Sequence, residues 1–110
     1  MIRAYAPGEI RINDEIFHHA LIVGPASIAS GPAVSDAAEL TAAHTADLIA
    51  LAPELVLVGT GVRQVFPPPE FGAQFLSAGI GFEVMDTGAA CRTFNVLVTE
   101  ERRVVALLLV

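Results

Sequence analysis

Hydrophobic and polar positions divide the first third of the chain into short extended pieces. Ile10, Ile12, Ile16 and Phe17 flank Asn13-Asp14, the pattern of two short strands joined by a tight hairpin. Pro7-Gly8 interrupts an earlier extended stretch, and His19 to Val23 reads as a further strand stopped by Gly24-Pro25. Ser27 to Pro32 reads as a loop or a short edge strand. Asp36 followed three residues later by Glu39 has the form of a capping box, and Thr41 offers a second N-cap. From either start, Leu40, His44, Leu48 and Leu51 fall on one helical face, so the spacing predicts a helix to about Leu51, closed off by Pro53.

The second half changes character. Leu55-Val56-Leu57-Val58 is apolar at every position, as in a parallel strand covered on both faces, and it ends in Gly59-Thr60-Gly61. Pro69 suits the first position of a helix running to Ala78, with Gly79 as a left-handed cap. Gly81 to Met85 is the next strand. Asp86-Thr87-Gly88 leads into a helix through Ala89, Cys91, Asn95 and Val98, and Arg102-Arg103 precede a final apolar run, Val104 to Val110. Seven residues are far short of the ~20 needed to cross a bilayer as a helix, so this run reads as an interior strand. The order β-α-β-α-β predicts a layered α/β domain.

Composition narrows the function. The 110 residues suit one domain, residues 1–110. They are 54% hydrophobic and only 16% charged, against about 25% charged in ordinary soluble domains. The surplus apolar surface goes either to a sheet buried on both faces or to a partner. A net charge of −6 with only six basic residues argues against nucleic acid and against an anionic membrane surface. The single cysteine, Cys91, allows no internal disulfide and no cysteine-based zinc site, which suits a reducing compartment. The first eight residues lack the apolar core of a signal peptide, so the expected location is cytoplasmic.

Pro53 to Gly61, then Phe66-Pro67-Pro68, then the block from Gly79 to Leu97 (most distinctively Met85 to Asn95) resemble a small domain family of largely unknown function. That family includes a mitochondrial complex I assembly factor and an adipogenesis-associated eukaryotic protein. The resemblance spans essentially the whole chain, although Gly31 to Val34 lacks a Trp found there in the family. It implies a three-layer α/β fold with a mixed central sheet of about five strands, the C-terminal strand interior and antiparallel to the others, and an extra N-terminal β-hairpin layer. It implies no catalytic residue and no cofactor, and a role through protein–protein contacts.

Several residues invite chemistry, each with a plainer structural reading beside it. Gly59, Thr60 and Gly61 end a strand, where α/β sheets bind ligands, and with Arg63 could hold an anion; alternatively they form a tight turn. A dinucleotide fingerprint needs a third glycine, and position 64 is Gln. Asp86 and Thr87 are ligand contacts or helix caps, and Asp86 could pair with Arg92. Cys91, beside Arg92 near a helix start, is a reactive thiol or a small buried side chain. His18 and His19, adjacent on a strand, point to opposite faces and cannot chelate one metal together, so no metal site is expected. Phe66, Pro67, Pro68 and Phe71 form an interaction surface or a rigid packed loop. The reading that accounts for most of these features is a non-catalytic interaction or assembly-type domain, bound to a protein partner or to itself. The alternative is a small-ligand or anion-binding domain, or a weak enzyme, built on Gly59, Thr60, Gly61, Arg63, Asp86, Thr87 and Arg92.

Overall fold

The computed structural model describes all 110 residues. Strands β1 (Ile2–Ala6), β2 (Glu9–Ile12) and β3 (Glu15–Phe17) form an antiparallel meander. Its turns follow from their residues: Gly8 and Asn13 take φ of +85° and +53°, which glycine and asparagine tolerate best. The expected hairpin layer thus gains a third strand.

The second sheet has the order β5-β4-β8-β6-β7, built from β4 (Leu21–Gly24), β5 (Ser27–Ser30), β6 (Leu55–Thr60), β7 (Gly81–Met85) and β8 (Val104–Leu109). It is mixed, five-stranded and sandwiched, as expected. β8 is interior and buried along its whole length. Its direction corrects the expectation. It is antiparallel only to β4 and runs parallel to β6. The reason is the helix α3 (Thr87–Thr99), which carries the chain back across the sheet between β7 and β8, and a helical crossover of this kind returns a parallel strand.

Alternation along the strands fills two separate cores. Leu55, Leu57, Ala106 and Leu108 face α3 and the meander residues Ile2, Ile10 and Ile12. Val56, Val58, Leu107 and Leu109 face the other way, onto Leu40, Leu48, Phe71 and Phe75. The second group comes from α2 (Pro69–Ser77) and from the segment before β6. This is why β6 and β8 are apolar at consecutive positions: each face of the sheet has its own cover.

α2 begins at Pro69 and ends in a Schellman motif. Ile80 N–H donates to Phe75 C=O at 2.9 Å, Gly79 N–H donates to Leu76 C=O at 3.1 Å, and Gly79 has φ +74°. The helix expected from Asp36 or Thr41 to Leu51 is instead three fragments: 3₁₀ turns at Ala37–Glu39 and Ala42–His44, and one α turn, α1 (Ala46–Ile49). Both caps act. Asp36 accepts from Ala38 N–H, and Thr41 forms a capping box with His44. Thr41 caps with an extended backbone (ψ 174°) directly after the extended Leu40 (ψ 136°), so a helix begun at Asp36 cannot run on past residue 40. Leu40 and Leu48 still reach the core, while Leu51 stays exposed.

Candidate functional site

The carboxyl ends of β6 and β8 meet where the strand order reverses, since β7 lies on one side of β6 and β8 on the other. In open α/β sheets a crevice at this point is the usual ligand site. Here it is occupied by Thr87. Its Oγ1 accepts from Gly61 N–H at 2.7 Å and donates to Leu109 C=O at 2.6 Å, and Gly61 C=O accepts from Thr87 N–H at 2.9 Å. Gly59 lets the helix come this close: a Cβ at residue 59 would lie 2.9 Å from both Cα and Oγ1 of Thr87. Gly61 has φ +95°, as a tight turn requires. Thr60 Oγ1 accepts from Val65 N–H and donates to Arg63 C=O. The corner therefore brings Gly59, Thr60, Gly61 and Thr87 together, with their polar groups turned on one another. None of the four cavities of the molecule is lined by these residues, by Arg63 or by Asp86.

Asp86 is the N-cap of α3, its Oδ1 accepting from Ala89 N–H at 2.8 Å. The Asp86–Arg92 ion pair does not form; the only ion pair joins Arg102 to Glu54 at 3.0 Å. That exposed carboxylate accepts from Arg103 N–H as well, and these hydrogen bonds hold the Glu54 pKa down. Cys91 is buried in the core. Burial pushes its thiol up to about 11, with Arg92 pulling downward and Asp86 pushing further up. A thiol so placed is protonated at neutral pH. His18 and His19 are exposed beyond the end of β3, and His44 caps its own 3₁₀ turn. No cluster of three or more His, Cys, Asp or Glu side chains is placed to hold a metal.

The interaction surface divides. Phe71 is fully buried, stacked edge-on against Phe75 and Phe82, because α2 points it at the sheet. This corrects its expected place on the surface. Phe66 is 71% exposed. With Pro67, Pro68, Leu76 and Phe82 it lines a shallow apolar groove of about 270 Å³ alongside α2. Leu76, which the sequence reading passed over, is 69% exposed. Gly72 admits the Phe82 ring beneath the groove, since a Cβ there would meet Phe82 Cε2 at 2.8 Å.

A second cleft lies between β1 and α3. It measures about 280 Å³ and is lined in part by Arg3, Tyr5, Gly88, Cys91, Arg92 and Asn95. Sequence reasoning singled out Cys91 and Arg92 but had no signal for Arg3 or Tyr5, which tertiary contact alone brings to α3.

Comparison with known proteins agrees with this architecture. Residues 2–109 match the family described as protein of unknown function (DUF498/DUF598), and the chain belongs to that family. A solved Bordetella parapertussis protein is 44% identical, with a TM-score of 0.90 over 98% of this chain and 92% of that one. A Xanthomonas campestris protein solved by NMR is 36% identical, with a TM-score of 0.90 over 100% of this chain and 83% of its own. A Francisella tularensis protein named as a 13 kDa major membrane protein is 31% identical over 103 residues, 93% of this chain and 84% of that one. In the present chain no helix is long and apolar enough to cross a membrane.

Proposed function

We propose that this member of the family is a non-catalytic interaction domain that docks a partner protein in the groove beside α2. The observation that carries the reading is Phe66, held 71% exposed by the rigid Pro67-Pro68-Pro69 run at the edge of an apolar groove. Leaving a large aromatic side chain in water forgoes roughly 1.5–3 kcal/mol that burial would return. The exposed carboxylate Glu70 lies in the first turn of α2, next to Pro69 on the groove wall. The chain carries −6 overall and no lysine. The occupant that fits is an apolar anchor flanked by Lys or Arg on a partner protein, in a cytoplasmic setting. A second copy of this chain would bring the same negative charge. Assembly of a larger complex, as the family resemblance implies, is a role such a surface serves.

The test is a photo-cross-linking residue at position 73, an exposed groove position that both the wild-type chain and the variant can carry, in the full chain in its native cell, with cross-linked peptides identified by mass spectrometry. The expected product is one recurrent partner joined through a segment with an apolar anchor and basic flanks, lost in the Phe66→Ser, Leu76→Ser double variant. Cross-links only to this chain itself, or a partner retained by the double variant, overturn the reading.

A further inference from the structure

The cleft between β1 and α3 lies on the opposite side of the central sheet from the α2 groove and does not depend on the docking proposal. Its walls are unusual for so acidic a protein. Arg3 and Arg92 both line it, and neither has a carboxylate oxygen within 4.0 Å, the one ion pair being Arg102–Glu54. Arg3 also lines a neighbouring cleft with Arg11 and Asp14.

A backbone irregularity produces the arrangement. The register of β1 on β2 shifts between Ile2 and Ala4, so that Ile2 pairs with Ile12 and Ala4 with Arg11. In a regular strand, residues three apart face opposite sides. The extra residue lets both Ile2 and Tyr5 pack into the same inner core and leaves Arg3 at the rim. Asn95 fixes the bulged strand to α3 through both polar groups of Ile2.

Tyr5 supplies an independent sign of a missing partner. Its hydroxyl oxygen is buried and makes no hydrogen bond, alone among the buried side-chain polar atoms of the molecule. Buried hydroxyl groups almost always have a partner. Gly88 keeps the space open, since a Cβ there would fall 3.3 Å from Asp86 Oδ1, 3.5 Å from Arg92 Nη1 and 3.7 Å from Tyr5 Cδ2. The Asp86 carboxylate opposes an anion, but its Oδ1 is committed to the Ala89 N–H. The Cys91 thiol, protonated at neutral pH, adds no negative charge.

We propose that this cleft is a binding site for a small oxyanion, a phosphate or carboxylate group, held between the guanidinium groups of Arg3 and Arg92 with the Tyr5 hydroxyl as a further donor. Guanidinium pairs suit such groups through charge-assisted, forked hydrogen bonds. The test is an NMR titration of the full chain at pH 7 with sodium phosphate and, separately, sodium acetate, each against sodium chloride at matched ionic strength. Saturable shifts at Gly88 and Tyr5 with either oxyanion are expected. Arg3→Gln and Arg92→Gln should each weaken binding about tenfold. Tyr5→Phe should weaken it less, and Arg103→Gln should leave it unchanged. The arginine variants alter exposed side chains and should keep the wild-type spectrum elsewhere. Shifts that rise linearly without saturation, that chloride reproduces, or that persist undiminished in Arg3→Gln and Arg92→Gln overturn the proposal.

Discussion

The side-chain amide of Asn95 clamps the backbone of Ile2 at two points, 93 residues away in sequence. Oδ1 accepts from Ile2 N–H at 3.1 Å and Nδ2 donates to Ile2 C=O at 2.7 Å. An edge strand offers its free N–H and C=O to any passing strand, and here a helix side chain occupies them. Asn95→Ala should therefore cost about 1–3 kcal/mol, the range for leaving partly buried backbone groups without partners. Urea denaturation gives the loss, and hydrogen exchange should show it concentrated in β1 and β2. Asn95→Asp keeps the acceptor but removes the donor and should fall between the two.

Thr87 joins β6 to β8 through one hydroxyl, which both accepts and donates. Thr87→Val keeps the shape and strands Gly61 N–H and Leu109 C=O in the interior. A destabilisation of about 2–6 kcal/mol is expected at a cost of ~1–3 per stranded group, while Thr87→Ser should recover most of it. Thermal unfolding of the three proteins side by side decides the matter.

Gly59→Ala forces a methyl to within 2.9 Å of Thr87 Cα, a backbone atom that cannot swing aside. Overpacking of this kind costs about 1–3 kcal/mol. Gly8→Ala is a useful contrast: nothing lies within 4 Å of its added Cβ, so any loss there reports only its φ of +85°.

Glu101 runs against its local geometry. It occupies the left-handed position after α3 at φ +62°, with Arg102 N–H donating to Leu97 C=O and its own N–H to Val98 C=O, the same Schellman pattern that Gly79 completes after α2. A side chain at such a position costs roughly 1–2 kcal/mol relative to glycine. Glu101→Gly should raise stability by up to about 1 kcal/mol, since added freedom in the unfolded chain offsets part of the gain. A higher denaturation midpoint at unchanged m-value is the expected result.

Cys91 sets a pH dependence of known sign. In the folded protein its thiol titrates at about 11, against 9.0 for the unperturbed group. Between those values the unfolded chain gives up the proton first and so binds fewer protons than the native state. Stability should be full below pH 9 and decline through the window to pH 11. Tyr5, raised chiefly by burial and further by Cys91 and Asp86, acts in the same direction. Cys91→Ala should flatten the slope between pH 9 and 11, and alkylation of the native thiol at pH 8 should be slow until denaturant is added.

Much of the fold was legible in the order of residues because its signals are local. Pro69 and Gly79 bracket α2, Asp86 caps α3, and the unbroken apolar runs of β6 and β8 require cover on both faces. The broken helix before β6 was less readable: two caps compete within one stretch, and a rule that scores each cap alone favours a continuous helix. Phe71 and Phe66 are alike as letters five residues apart, yet α2 turns one inward and the loop leaves the other outside.

What the sequence determines by itself is where elements start and stop and which of them must be buried, since capping, turn chemistry and apolar periodicity act within a few residues. What only tertiary structure decides is which distant groups meet. Thr87 against Gly61 and Leu109, Asn95 against Ile2, and Arg3 beside Arg92 depend on the crossover of α3 and on one bulge in β1. Those placements follow from packing whole layers against one another, and no short stretch of the chain encodes them.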